Sequence, residues 1–255
     1  QKTNKEVRTT VDGYPIAIFH RETASDTLAF VGKYNFNNDK STAETFGFSD
    51  GDESWEFSNN TSDRCLFKSA DFSGTDWTND FESRYPDDDA INAEYEAGTR
   101  KPEKLMAVTS WVVSTKDNLD KFKNEVRNHF NLDNLIAYYL ITELFGMVDQ
   151  RAKNMFLTYF HEEGKWIFIF YDNDTCFGLN NEGLIAFGYN IEYHDKIGTL
   201  NVWNGESSVL WNNLEKCFPS EIEAMYKDIR TRGLGGVYIV LLLIKLLHTH
   251  SLFFG

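Results

Sequence analysis

Hydrophobic and polar positions in the first 60 residues fall into short runs that are typical of β-strands. YPIAIF (residues 14–19) and LAFVGKYNF (residues 28–36) are rich in β-branched and aromatic residues, and turn-forming residues lie on either side of them. SWEFSNN (residues 54–60) is a third candidate strand. The next segment, as far as Pro102, is polar and aromatic, and its acidic run Asp87-Asp88-Asp89 is typical of a solvated surface.

The pattern changes after Pro102 to the three- and four-residue spacing of amphipathic helices. LMAVTSWVVS (residues 105–114) and DKFKNEVRNHF (residues 120–130) have this spacing. NLDNLIAYYLITELFGM (residues 131–147) is apolar on almost every face, which predicts a central buried helix. Two further helices are predicted over residues 208–218 and 220–232.

A β-hairpin is predicted between these two groups of helices. NMFLTYF (residues 154–160) and KWIFIFY (residues 165–171) flank a turn at residues 161–164. The chain therefore has an α+β pattern, with a β-rich part over residues 1–104 and a mostly helical lobe over residues 105–232 that carries the hairpin. Residues 233–255 form an atypical apolar tail. It is too interrupted for a membrane span, which needs about 20 apolar residues.

Charge and cysteine content narrow the classes of partner. The net charge is −14, from 39 acidic and 25 basic residues, which argues against nucleic-acid backbones and anionic membrane surfaces. A nucleotide remains compatible if a divalent cation lies between carboxylates and phosphates. The cysteines Cys65, Cys176 and Cys217 form no disulfide or zinc pattern, and no signal sequence is recognisable. We therefore expect a cytoplasmic or particle-associated location.

Acidic residues flank the predicted hairpin. Asp149 and Asn154 form a D-x-x-x-x-N pattern in DQRAKN, and Asp172 follows the second strand in YDNDTCFG. Phosphoryl transfer on a kinase-type scaffold needs a carboxylate that orients the attacking hydroxyl, and an Asn and an Asp that bind metal. Carboxylates beside a buried hairpin are costly alone, and shared cations at a cleft would offset their repulsion. The alternative is structural, with these residues capping loops and closing the hairpin.

Acidic residues in this region also suggest two other kinds of site. A calcium loop over residues 172–183 has Cys176 and Phe177 where a ligand and a glycine are needed, and has no acid at position twelve. A glycosidase or related hydrolase could draw its acid and base from four carboxylates, although the sequence does not say which of them face each other. The four are Glu143, Asp149, Asp172 and Glu182.

The segment DQRAKNMFLTYFHEEGKWIFIFYDNDTCFG resembles the signature of the CotH family, spore-coat protein H and its relatives. These are atypical protein kinases with a kinase-like fold. EFSNNTSDRCLFKSADF (residues 56–72) is similar to a polar patch upstream in that family. The resemblance implies ATP with Mg²⁺ or Mn²⁺ as cofactors and a serine-containing protein as acceptor. The longer pattern looks most like members from gut bacteria and their phages.

Residue roles follow from this resemblance. Asp149 would be the catalytic Asp, Asn154 and Asp172 metal ligands, and Asp174 a second acidic ligand. The phosphate-pairing lysine has no clear counterpart. Lys33, Lys40 and Lys68 are candidates, and we assign Lys68 as cofactor-binding. If that lysine lies upstream of Gln1, the alternative is a non-catalytic structural or phage-particle protein with a kinase-like fold. The sequence does not predict the oligomeric state.

Overall fold

The computed structural model of the protein describes residues 13–147, 149–176 and 207–232. These residues form an α+β fold with two antiparallel sheets. In chain order, the elements are β1 (Gly13–His20), β2 (Ala29–Asn37), α1 (Ala43–Phe46), β3 (Glu53–Phe57), β4 (Phe81–Tyr85), α2 (Asp89–Glu96), α3 (Glu103–Ser114), α4 (Leu119–His129), α5 (Leu132–Leu144), β5 (Met155–Phe160), β6 (Lys165–Phe170), α6 (Val209–Cys217) and α7 (Pro219–Arg232).

The larger sheet has the strand order β4-β3-β5-β6. It joins two strands from the first hundred residues to the hairpin β5–β6. Side chains alternate between its faces. One face belongs to the main core shared with the helices, and it includes Trp55, Phe57, Leu157 and Phe168. The other face forms a second cluster with the segment around α1, which contains Phe46, Phe48, Phe156, Phe160, Ile167 and Ile169.

Helix α5 is fixed against the edge strand β6 by its first turn. The side chain of Asn131 caps the helix by accepting a hydrogen bond from the Asn134 amide at 3.1 Å. Asn134 in turn accepts from the Phe168 amide at 2.7 Å and donates to the Phe168 carbonyl at 3.0 Å. These bonds satisfy backbone groups that an edge strand would otherwise leave unpaired. The core helix and the hairpin are therefore held together at this point.

The periodic segments fold as the sequence predicts. Strands β1, β2 and β3, helices α3 to α7 and the hairpin β5–β6 all form within a few residues of their predicted bounds. The segment between residues 61 and 102 was predicted without elements, yet it contains β4 and α2. Asp88 of the acidic run caps α2, since its side chain accepts from the Ala90 and Ile91 amides at 2.9 and 3.0 Å. The division of the chain at residue 104 stays a prediction.

The smaller sheet consists of β1 and β2 alone. Tyr14 pairs with Phe36 across it, and Phe19 pairs with Phe30, each with ring centroids 5.4 Å apart. Eight of the ten exposed large hydrophobic side chains in the described residues belong to this hairpin or its connecting loop. The hairpin is therefore not part of either core cluster. In the described part of the chain, no helix has the length and apolar character of a membrane span.

Candidate functional site

Three of the predicted site residues, Asp149, Asn154 and Asp172, lie at one end of the larger sheet. Asn154 immediately precedes β5. Its backbone N–H donates to the carbonyl of Phe57, the last residue of β3, at 3.0 Å. Met155 pairs with Phe170 at the end of β6, so Asp172 leaves the sheet at the same end. This end of the sheet therefore brings together the two halves of the acidic pattern.

Asp149 and Asn154 contact each other directly. The Asn154 Nδ2 donates to Asp149 Oδ2 at 2.8 Å, and the two residues are almost fully buried, with Asp149 4% and Asn154 6% exposed. The Nζ of Lys153 lies 3.7 Å from the same oxygen. Asn154 has a φ of 52°, in the left-handed region that asparagine tolerates better than most residues. The Asp149 carboxylate is thus held at the edge of the core by an amide and a cation.

Gln150 links the loop that contains Asp149 to the segment that contains Asp172. It is fully buried, and its Nε2 donates to the carbonyls of Tyr171 at 3.2 Å and Asp172 at 2.7 Å. Its Oε1 lies 3.4 Å from the Thr175 hydroxyl. Asp172 itself is exposed and has a φ of 51°. Asp172 is therefore not a buried carboxylate, and Gln150 fixes its backbone next to Asp149.

Arg151 anchors the same loop to the helical core. It forms an ion pair with Glu143, donates from Nε to Thr142 Oγ1 at 3.0 Å, and stacks over Tyr139 at 4.4 Å. Trp211 donates to the Arg151 carbonyl at 2.8 Å. Because Glu143 is engaged with Arg151, it is poorly placed to act as a hydrolytic acid or base. Glu182, another carboxylate of that alternative, lies outside the described residues.

A half-buried lysine completes this end of the sheet. The Nζ of Lys40 lies 3.1 Å from Glu56 Oε2 and donates to the Tyr171 hydroxyl at 3.2 Å, and it sits 4.6 Å from the centre of the Tyr171 ring. Glu56 is itself held by Arg84 Nε at 2.6 Å. Burial lowers the pKa of Lys40. The hydrogen bonds to Tyr171 and Glu56 and the charge of Glu56 together raise it by more, so the pKa lies above its ordinary value.

Lys68, the sequence-based candidate, has a different contact. Its Nζ donates to the Ser207 hydroxyl at 2.7 Å, in an exposed position. None of the hydrogen bonds or ion pairs described above for Asp149, Asn154 and Asp172 involves it. The side chain of Asp174 lies outside the described part of the structure. The structure thus brings Asp149, Asn154 and Asp172 to one place without testing the roles of Lys68 or Asp174.

The upstream polar patch stabilises a loop. Arg64 donates from Nε to Asp80 Oδ2 at 2.5 Å and from Nη2 to Asp76 Oδ2 at 2.9 Å, and Asn59 donates to the other Asp80 oxygen at 3.0 Å. Asp80 is almost fully buried, so these bonds compensate for its desolvation. The patch is therefore a scaffold for the turn between β3 and β4.

The carboxylate and amide oxygens at this end of the larger sheet suit a hard divalent cation. Within the described residues, no three His, Cys, Asp or Glu side chains are close enough to hold a metal ion. The side-chain oxygens that could contact a cation at this end of the sheet belong to the carboxylates of Asp149 and Asp172 and the amides of Asn154 and Asn173. The Oδ1 atom of Asn173 is buried and has no hydrogen-bond partner in the described part of the chain. Magnesium binds through one or two carboxylates and keeps other positions for water and phosphate, so this set fits it.

Glu56, Gln150 and Tyr171 are the site residues that sequence reasoning missed. Glu56 did carry a signal, because it is a carboxylate between Trp55 and Phe57 in a strand whose neighbours are buried. A charge at such a position requires a partner. The partner, Lys40, could not be identified without the fold.

The comparisons with known proteins point to one family. A family model described as CotH kinase protein matches residues 34–232 of the chain. The match includes the end of the larger sheet described above, together with Lys40, Glu56, Asp149 and Asp172. None of the curated proteins compared with the chain matches it.

Proposed function

Because the chain belongs to the CotH kinase family, we propose that it transfers a phosphoryl group from ATP to a hydroxyl of a protein, with a divalent metal. Kinases of different folds share this requirement, since catalysis depends on positioning the phosphates and neutralising their charge. Mg²⁺ and Mn²⁺ are the candidate metals.

The observation that carries this proposal is the ion pair of Lys40 with Glu56 beside the Asp149–Asn154 pair. A lysine held by a glutamate and directed at nucleotide phosphates is a recurring part of kinase sites. Lys40 contacts Tyr171, and the backbone of Tyr171 is fixed by Gln150 next to Asp149. The ammonium group of Lys40 and the acidic residues are therefore linked by one connected set of contacts.

We assign to Asp149 the role of orienting the acceptor hydroxyl and accepting its proton. Its carboxylate is oriented by Asn154 and Lys153, and a carboxylate fixed in this way can accept the proton of an attacking hydroxyl. Asn154 and Asp172 would hold the cation, which supplies the charge that neutralises the phosphates during transfer. Asp174 remains a further candidate ligand.

Two lysines compete for the phosphate-binding role, and their contacts favour Lys40. Lys68 contacts Ser207, whereas Lys40 is held at the end of the sheet that carries the acidic residues. We expect Lys40→Ala to weaken ATP binding. A hydrogen bond to a charged group contributes about 1.5–3 kcal/mol, which corresponds to roughly a 10- to 150-fold loss of affinity.

Calorimetric titration of ATP with Mg²⁺ into the wild type, Lys40→Ala and Lys68→Ala measures this directly. Glu56 keeps Arg84 as a partner when Lys40 is removed, so the melting temperature of Lys40→Ala should stay close to that of the wild type. The matched control is Lys68→Ala, which should bind ATP normally. A loss of affinity confined to Lys68→Ala would transfer the role to Lys68 and contradict this assignment. Absence of ATP binding in the wild type would favour a non-catalytic protein with a kinase-like fold.

A further inference from the structure

Asn173 occupies an unusual position next to the candidate metal ligands. It begins the 3-10 turn Asn173–Thr175, directly after Asp172. Its Oδ1 atom is shielded from solvent and accepts no hydrogen bond from the described part of the chain. Gln150 holds this turn from both sides, through the Asp172 carbonyl and the Thr175 hydroxyl. The unpartnered oxygen is therefore fixed at the end of the sheet where Asp149 and Asn154 lie.

An unpartnered buried acceptor is costly. Most buried polar side-chain atoms in native proteins have a partner, and the exceptions call for an explanation such as an ion. Four side-chain atoms in the described residues are in this condition, and the others belong to Trp77, Thr109 and Ser208. Those three atoms each carry a hydrogen and can donate, whereas Asn173 Oδ1 can only accept. Asn173 supplies an amide oxygen, which is a standard ligand for hard divalent cations.

We propose that Asn173 Oδ1 is a ligand of the divalent cation that Asp172 binds. The inference rests on the proposed function, because it concerns the metal of that same site. A bound cation would supply the partner that this buried oxygen lacks among the described residues. An amide ligand adds an oxygen without adding negative charge to a protein whose net charge is already −14. An amide oxygen also favours hard cations such as Mg²⁺ and Mn²⁺ over soft ones.

Binding of Mn²⁺ alone tests this inference without nucleotide or activity. Free Mn²⁺ is quantified by electron paramagnetic resonance during titration of the whole chain, and the melting temperature is recorded with and without the ion. Asn173→Ala should raise the dissociation constant about tenfold, as expected for a lost ligand that contributes about 1.4 kcal/mol. In the absence of metal it should melt no lower than the wild type, because the removed oxygen has no hydrogen bond to lose.

Two further variants make the result specific. Asn173→Asp supplies a charged oxygen, so it should bind Mn²⁺ at least as tightly as the wild type while melting lower without metal. Asn128→Ala, on the exposed surface of α4, is the control and should behave as the wild type in both measurements.

The outcomes separate this inference from the proposed function. Wild-type Mn²⁺ affinity in Asn173→Ala, or a melting temperature lowered equally with and without the ion, would overturn the inference and leave the kinase proposal standing. Failure of the wild type to bind Mn²⁺ would overturn it as well. Normal Mn²⁺ binding that depends on Asn173, in a protein that transfers no phosphate, would support the inference and count against the kinase proposal alone.

Discussion

Cys65 lies in the core beneath the loop that follows β3, and burial controls its chemistry. Loss of hydration raises the pKa of its thiol to about 12, and the thiol donates to the Asp80 carbonyl at 3.3 Å. Because the thiolate is the reactive form, we expect Cys65 to resist iodoacetamide at pH 8 in the native protein. The half-buried Cys176 should be alkylated faster. Mass spectrometry of timed reactions measures both rates, and equal rates would contradict this picture.

The same pKa has a consequence for stability. The unfolded thiol ionises near its ordinary pKa of 9.0, whereas the native thiol keeps its proton until about pH 12. Rising pH in this window therefore favours the unfolded state, and the contribution of Cys65 is complete only below about pH 9. Tyr138 and Tyr139 act in the same direction, since burial raises the pKa of both hydroxyls.

The proximity of candidate site residues was predictable only where the signal was local. Asp149, Asn154 and Asp172 could be expected to lie close together because the pattern and the hairpin belong to one segment of the chain. Lys40 and Glu56 form their pair through a contact between a loop and a strand, and their link to Tyr171 spans more than a hundred residues. No spacing rule connects such positions, so a structure was needed to place the lysine.

Elements with strong periodicity were predictable, and short ones were not. Helices α3 to α5 bury regular apolar positions, and the hairpin β5–β6 is a continuous apolar run around a turn. Strand β4, FESRY, is short, and its three middle residues, Glu82, Ser83 and Arg84, are polar, so no apolar run marks it. Helix α2 begins within an acidic run that is typical of a solvated surface. It was not predictable because the role of Asp88 as a cap depends on the backbone conformation.

The β1–β2 hairpin should be the least stable of the described strands. A two-stranded hairpin is marginally stable in water, and the side chains of this one are exposed or only half-buried. Strand β3 is central in its sheet and mostly buried. We expect backbone amides in β1 and β2 to exchange with solvent deuterium much faster than those in β3 and β5.

Hydrogen exchange followed by peptide mass spectrometry measures this difference at the level of elements. Peptides from β5 provide the reference, because that strand is hydrogen-bonded on both sides. Protection of residues 13–37 equal to that of β3 would contradict the expectation and show that the hairpin is covered in solution.

At the scale of the whole molecule, the larger sheet is what assembles the candidate site. It places β3 from the first part of the chain beside the hairpin β5–β6, so that residues far apart in sequence meet at one end. The large helical core fixes that end through Arg151 and Trp211. The net charge of −14 makes the binding of bare phosphate unfavourable, so ATP binding at this end would depend on a cation and on Lys40.

If this end of the sheet transfers phosphate, as proposed, ADP formation from ATP with Mg²⁺ or Mn²⁺ by the wild type and by Asp149→Asn will reveal it. The wild type should form ADP, and Asp149→Asn should do so roughly 10²–10⁴ times more slowly, the usual contribution of a general base. Calorimetry should show unchanged ATP binding in that variant and weaker binding in Asp172→Asn. Equal rates of ADP formation in the wild type and Asp149→Asn, or no ADP from the wild type with either metal, would rule out phosphoryl transfer by these residues.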